Sequence, residues 1–285
     1  MGMKNKKRKF IPSELNTKDR HQLMIGSVGP RPIAFVSTVN QNGDSNLAPY
    51  SFFNAFSSNP PIVVFSSNRR VKDNSTKDTL ENVKINKGLV INVVTQDIAR
   101  QMTLTSIEFA PGVSEFDKAG FTPVKADIVT APLVKESAIN MECKVTDIIP
   151  LGEHGGAGHL IICEVLLFHV REDVLDENGR IDPTRLQQIG RLGRAYYTKV
   201  DSNSLYTIYQ NVEDKIIGYQ FLPEQIKKSK FLTGNEIAEL AALNKLPDKD
   251  TIAKVKEKYK TGNPEKIARQ LIAENKAMEA LALLY

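Results

Sequence analysis

Arg31 to Pro61 reads RPIAFVSTVNQNGDSNLAPYSFFNAFSSNPP, and this stretch decides what fold the chain is expected to adopt. Ile33 to Val39 is apolar and rich in β-branched and aromatic residues, which predicts a buried strand. Asn42-Gly43 follows, a two-residue hairpin signal because both residues tolerate positive φ. Ser45 to Phe53 then returns the chain as a second extended run. Small polar residues crowd it and its flank: Ser45, Asn46, Ser51, Asn54, Ser57, Ser58 and Asn59. A strand that only fills a core does not need so many amides and hydroxyls, because each one buried must find a partner. The hairpin is therefore expected to hold a polar, phosphorylated ligand.

Working outward, Pro60-Pro61 opens another strand, Ile62 to Ser66, whose unbroken apolar character predicts burial on both faces. A polar loop, SNRRVKDNSTKDT, follows. Asp78 lies three residues before Glu81, a capping-box pattern that predicts a helix from about Thr79, with Gly88 as its closing glycine. Lys77-Asp78-Thr79 then sits at a helix N-terminus, where free N–H groups and the dipole favour phosphate. A plain capped helix with a solvated lysine is the alternative. Leu89 to Val94 reads as a strand, Asp97 to Thr105 as a helix, Glu115-Phe116 as a helical turn, and Ile128 to Pro132 as extended. Ser137 to Pro150 alternates well, and GEHGGAGH turns the chain into Leu160 to Val170. Strands with local connections and few helices between them predict a mainly β, mostly antiparallel barrel.

On the N-terminal side, residues 1–15 are expected to form a flexible tail. Asn16 to Ile25 reads as a short helix capped by Asn16 or Thr17 and ended by Gly26, Gly29, Pro30 and Pro32. After the barrel, Pro183 to Ile189 is a short helix leading to Arg191. Strand signals stop at about Asp214. Thr233 with Glu236 forms a capping box, Ile252, Val255 and Tyr259 keep helical spacing, and Asn263-Pro264 caps a last helix running through Leu281. The expected organisation is a tail at 1–15, a barrel domain at 16–213 and a helical extension at 214–285. Three amphipathic helices need a surface: the barrel, each other, or a partner chain.

Composition bounds the function. The chain has 285 residues, 41% hydrophobic and 25% charged, ordinary for a globular protein. No apolar run reaches the roughly 18 residues that span a bilayer, so no membrane association is expected. The basic N-terminus lacks the apolar segment of a signal peptide. Cys143 and Cys163 suggest buried thiols in a reducing cytoplasm rather than a disulfide framework. The net charge of +5 is spread along the chain apart from Lys4 to Lys9, which reads as a solvated tail, and no nucleic-acid motif appears. No nucleic-acid partner is expected, and a modest positive excess suits an anionic small ligand. No His, Cys or carboxylate cluster has metal spacing, and no GxGxxG follows a strand.

Four separated stretches together resemble the flavin reductase-like family of FMN-binding split barrels: RPIAFVSTV with NGDSNLAPYSFFNAFSSNPP, STKDT before a helix, GGAGHLIICEV, and RIDPTRLQQIGRLGRAYY. The resemblance covers about residues 20–200 and leaves the C-terminal helices outside it. It implies an FMN-binding split β-barrel, a homodimer, and hydride transfer from NADH or NADPH to flavin. Electrons would pass to free flavin, a ferric complex, oxygen or a partner oxygenase. On the resemblance, Asn46, Leu47, Ala48, Pro49, Tyr50, Ser51 and Phe52 line the ring. Ser37, Thr38, Ser51, Ser66, Lys77, Asp78 and Thr79 would hold ribityl or phosphate, Arg31 would reach the phosphate or a substrate anion, and Arg191 would bind the cofactor. His159 would lie near the flavin as the catalytic candidate, a strand-end histidine satisfied by a backbone carbonyl being the alternative. FMN needs a phosphate clamp, edge donors and acceptors, and an apolar slab, and these residue types supply all three. An FMN carrier or sensor without its own turnover, and a related oxidase of a small anionic substrate, remain alternatives.

Overall fold

The computed structural model describes residues 7–110, 113–208 and 215–285. Lys4 to Lys6, Pro111 and the expected boundary at 213/214 lie outside the described residues. The chain divides into two compact units, Met1–Leu205 and Tyr206–Tyr285.

Seven strands of the first unit form one antiparallel sheet: β1 (Ala34–Val39), β2 (Ser45–Tyr50), β3 (Phe53–Ser58), β4 (Pro61–Asn68), β5 (Gly88–Val93), β8 (Ile139–Pro150) and β9 (Gly158–Val170). Two-residue strands β6 (Pro123–Val124) and β7 (Leu133–Val134) pair with each other, as do β10 (Ile189–Arg191) and β11 (Tyr197–Lys199). The large sheet runs β2-β1-β5-β8-β9-β4-β3. One apolar cluster draws on all seven strands, from Ala34 and Val36 through Phe65, Ile91 and Cys143 to Cys163, with Phe53 packed against it. A sheet that shares a single interior is curled around it. Helix α2 (Asp78–Ile85) adds Leu80 and Val83 to that interior. Strand β1 is buried at every position because its other face, Ile33 and Phe35, packs under helices α3 (Ala99–Leu104) and α4 (Glu115–Ala119).

The structure corrects four local expectations. The β1–β2 connection spans Asn40–Asp44 rather than two residues. Asn40 Oδ1 accepts the amides of Asn42 and Asp44, and only Gly43 takes positive φ, at 88°. Ser45 to Phe53 is not continuous: β2 ends at Tyr50, and Phe53–Ser58 is a third strand at the sheet edge, exposed after Phe53. Ser57 and Ser58 are therefore solvated on an edge strand and are not buried ligand groups. Gly88 starts β5 instead of closing α2, whose C-cap is Asn86. Ile128 to Pro132 forms no strand. Its start is pinned by Glu142, which is fully buried and accepts the amides of Asp127, Ile128 and Val129 at 2.7–2.9 Å and His169 Nε2 at 2.7 Å. Burial alone would raise the Glu142 carboxyl, but His169 and the three amides hold it down to about 2. Asp127, Glu142 and His169 are brought together by the fold, and the four donors to Glu142 make the group an anchor for this loop.

The expected Pro183–Ile189 helix is the short α5 (Pro183–Leu186) of the first unit, and the second unit contains α6 (Glu224–Lys227), α7 (Gly234–Ala241), α8 (Lys249–Lys258), α9 (Pro264–Ala273) and α10 (Ala277–Leu284). The Thr233–Glu236 capping box forms as expected, and Asp248 and Asn263 cap α8 and α9. The expected single last helix is two helices. Asn275 enters the left-handed region at φ 59°, while Lys276 N–H donates to Leu271 O and Asn275 N–H to Ile272 O. These bonds form a Schellman stop with asparagine in the glycine position. The helices pack on one another around Leu240, Ala268 and Leu281, each fully buried. Among the described residues, no helix is long and apolar enough to cross a membrane.

Candidate functional site

A cleft of about 1150 Å³ opens in the first unit. Its walls are helix α1 (Thr17–Ser27), the Pro30–Pro32 segment before β1, the β2–β3 corner, β4 and the glycine-rich loop 151–158. Asn16 caps α1 by accepting the Asp19 amide, and the helix runs through Gly26 rather than stopping there. Thr17, Lys18, His21, Met24 and Val28 follow helical spacing and face the cleft. Phe52, Phe53 and Phe56 give an aromatic wall, and Ser51, Asn54, Ser66 and Asn68 give polar edges. The His21 ring lies 6.1 Å from that of Phe52. The loop approaches too closely for side chains: a Cβ on Gly158 would lie 2.4 Å from Ser66 Oγ, and one on Gly155 would meet Val71 backbone at 2.9 Å. Asn68 Nδ2 donates to Gly156 O at 3.2 Å, which fastens β4 to this loop.

Arg31 lines the inner cleft and is only 5% exposed. Its Nη1 donates to Ile25 O at 2.8 Å and Val28 O at 2.5 Å, the carbonyls at the end of α1. Its Nε is buried without a partner. The guanidinium lies 5.8 Å from the Phe52 ring centre. Burial, then the neighbouring Arg191, pulls the Arg31 pKa below its ordinary value. Backbone bonds in both directions tie Arg31 to Arg191, whose own guanidinium stacks 4.6 Å from the Tyr197 ring.

A second polar group gathers at the start of α2. The expected Asp78–Glu81 capping box does not form. Lys77 is the N-cap, no side chain caps the helix, and Glu81 accepts the Thr76 hydroxyl at 2.6 Å instead. Asp78 is exposed. Lys77 is held below its ordinary pKa by burial and then by Arg70, and its Nζ lies 5.1 Å from the Tyr50 ring. Arg70 pairs with Glu108 at 3.0 Å. Asn46 Nδ2 donates to Thr79 Oγ1 at 2.9 Å, and Asn82 Nδ2 to Thr38 Oγ1 at 3.0 Å. The Tyr50 hydroxyl is buried near the Thr79 and Ser67 hydroxyls, and burial pushes the Tyr50 phenol up to about 12.

The sequence-derived candidates thus separate. Arg31, Ser51, Phe52 and Ser66 line the cleft, whereas Thr38, Asn46, Tyr50, Lys77 and Thr79 belong to the α2 group. Ser37 donates to Pro132 O, and Leu47 N–H donates to Glu115 Oε2 at 3.1 Å, so both are spent within the fold. Ala48 and Pro49 are half-buried in the edge strand β2, where proline leaves no ladder bond broken. His159 does not reach the cleft. Gly158 and Leu160 line it, strand alternation turns His159 to the other face, and its Nδ1 lies 3.3 Å from Ser67 O. Asn68, Arg69 and the inward face of α1 were missed by sequence reasoning. The spacing of Thr17, His21, Met24 and Val28 was the available signal.

The donor set suits a flavin. Aromatic side chains stand beside amides and hydroxyls, a guanidinium donor is orphaned in the wall, and an uncapped helix end carries Lys77. The sequence profile described as the flavin reductase like domain matches residues 26–189. The fold is similar to nitrilotriacetate monooxygenase component B from Bacillus cereus: TM-score 0.67, 34% identity, 72% of this chain and 100% of that one covered. It is similar to the Pseudomonas fluorescens 2-nitrobenzoate 2-nitroreductase NbaA, with TM-score 0.63, 30% identity, and 76% and 99% covered. A Shewanella frigidimarina protein with a split barrel domain, at 24% identity, TM-score 0.60, and 70% and 96% covered, shares the fold.

Proposed function

The chain belongs to the flavin reductase like family, and from that premise we propose that it binds FMN and passes reducing equivalents from NADH or NADPH through it to an acceptor. The observation that carries this reading is the cleft with its aromatic wall, polar edges and unpaired guanidinium donor. Phe52 offers a face to the flavin ring, and Ser51, Ser66 and Asn68 offer donors and acceptors to its edge. The phosphate is assigned to the free N–H groups at the start of α2, with Lys77 and Arg70 supplying charge. Lys77 stands over Tyr50, the residue before Ser51 in the cleft wall, so the two groups adjoin along β2. Bound FMN would supply the hydride-accepting chemistry. The chain's own residues position it, exclude water behind Phe52 and Phe53, and leave the α1 side open for a second reactant. In this reading His159 supports Ser67 and takes no part in the transfer.

The same reading includes a homodimer, supported by the exposed edge strand β3 and Phe56, 68% exposed upon it. Similarity to a monooxygenase component and to a nitroreductase supports either an oxygenase partner or an organic acceptor. The test is the visible spectrum of the purified protein, followed by NADH and NADPH oxidation with and without added FMN. Flavin bands and FMN-dependent turnover are expected. Retained flavin without turnover reduces the protein to a carrier, and no flavin binding at all removes the reading.

A further inference from the structure

Arg31 is a buried cation that makes no ion pair among the described residues, and Arg191 beside it has the same sign. Two carbonyls at the end of α1 use Nη1, while Nε has nothing to donate to. The backbone is stiffened by Pro30 and Pro32, so the side chain has a fixed origin. Proteins seldom leave a buried charge in this condition unless something from outside completes it.

The surroundings define what would do so. Phe52 covers the guanidinium, His21 lies against Phe52, and Phe53 and Phe56 continue the wall. A planar carboxylate matches the guanidinium fork, and a ring attached to it would lie along these aromatic faces. A hydrated dianion suits this 5%-exposed seat poorly, because it would have to shed more water. Charge at the cleft points the same way. Lys18, Arg20, Arg31 and Arg69 line it against one carboxylate, Glu153. Lys18 and Arg20 are exposed on α1 and would draw an anion towards the mouth.

Resting on the flavin reading above, we infer that Arg31 is the carboxylate seat of an aromatic acid, and that this acid is the second reactant taken by the cleft. The protein loaded with FMN is titrated with benzoate and with the neutral isostere benzamide, following the flavin difference spectrum. Benzoate is expected to bind at least tenfold more tightly, with its affinity falling as sodium chloride is raised. Arg31→Gln should bring the ratio of the two affinities close to one, and Arg31→Lys should keep part of it. Because Arg31 also holds the end of α1, benzamide affinity and circular dichroism are the controls for folding. The double rim variant Lys18→Glu/Arg20→Glu should weaken benzoate severalfold more than it weakens benzamide. Equal binding of the two probes by the unaltered protein overturns the inference. So does competition by inorganic phosphate at the affinity of benzoate, which would assign the seat to a nucleotide phosphate. If the protein holds no flavin, the reading in the preceding section fails. The benzoate to benzamide ratio then remains measurable by calorimetry on the flavin-free protein and decides the seat separately.

Discussion

Glu142 and Arg31 are both buried charges in the same unit, yet they are treated oppositely. Glu142 has both oxygens filled by three amides and His169, whereas Arg31 has an idle donor, a like-charged neighbour and an open cleft in front of it. The difference separates structure from function. A buried charge with every valence met within the chain is holding the fold, and one left incomplete is held ready for a ligand.

The largest effect should come from the satisfied charge. Glu142→Ala leaves three amides and His169 without an acceptor and should lower unfolding free energy in urea by about 4 kcal/mol. Flavin affinity per folded molecule should stay the same; a stable variant that loses flavin would break the comparison. Acid titration sharpens it. The folded carboxyl sits near 2, below its ordinary 4.5, so its contribution is complete above about 4.5 and is lost as pH falls towards 2. That contribution is about 3 kcal/mol, and Glu142→Gln should flatten the dependence of the urea midpoint on pH over this window.

The next effect belongs to binding. Lys77→Ala should weaken FMN by about tenfold to thirtyfold, roughly 1.5–2 kcal/mol, in a flavin fluorescence titration, with the fold retained. An unchanged affinity would move the phosphate away from α2. His159→Asn should have the smallest effect, less than about twofold on the rate of flavin reduction in stopped flow, since it removes one hydrogen bond on the strand face turned away from the cleft. A tenfold loss would mean that the ring reaches the reactants after all.

Much of this was legible in the residues. Continuous apolar runs marked β1 and β5 because burial on both faces leaves no room for polar alternation. The same kind of run marked β4, but there Ile62 and Val64 are only half-buried and Val64 faces the cleft, so the expected burial on both faces does not hold. Thr233 and Glu236 marked α7 because both halves of a capping box lie within one turn. Strand β3 was not legible, because Asn54, Ser57 and Ser58 on an exposed edge look like any polar loop. Which way His159 faces depends on parity in β9, and parity is set by pairing of Ser67 with His159 across the sheet, not by local composition. Arg31 between two prolines was visible in sequence, but its idle Nε depends on which carbonyls the end of α1 brings near it.

The two cysteines have a practical consequence for anyone handling the protein. Cys143 and Cys163 both lie in the barrel interior, where burial pushes the first thiol up to about 12 and the second well above its ordinary value. Neither offers a thiolate to maleimides or iodoacetamide at neutral pH. The native chain therefore behaves as thiol-free towards such reagents, and Lys18→Cys, on the exposed rim of the cleft, would take a fluorophore at one site without removal of the native cysteines.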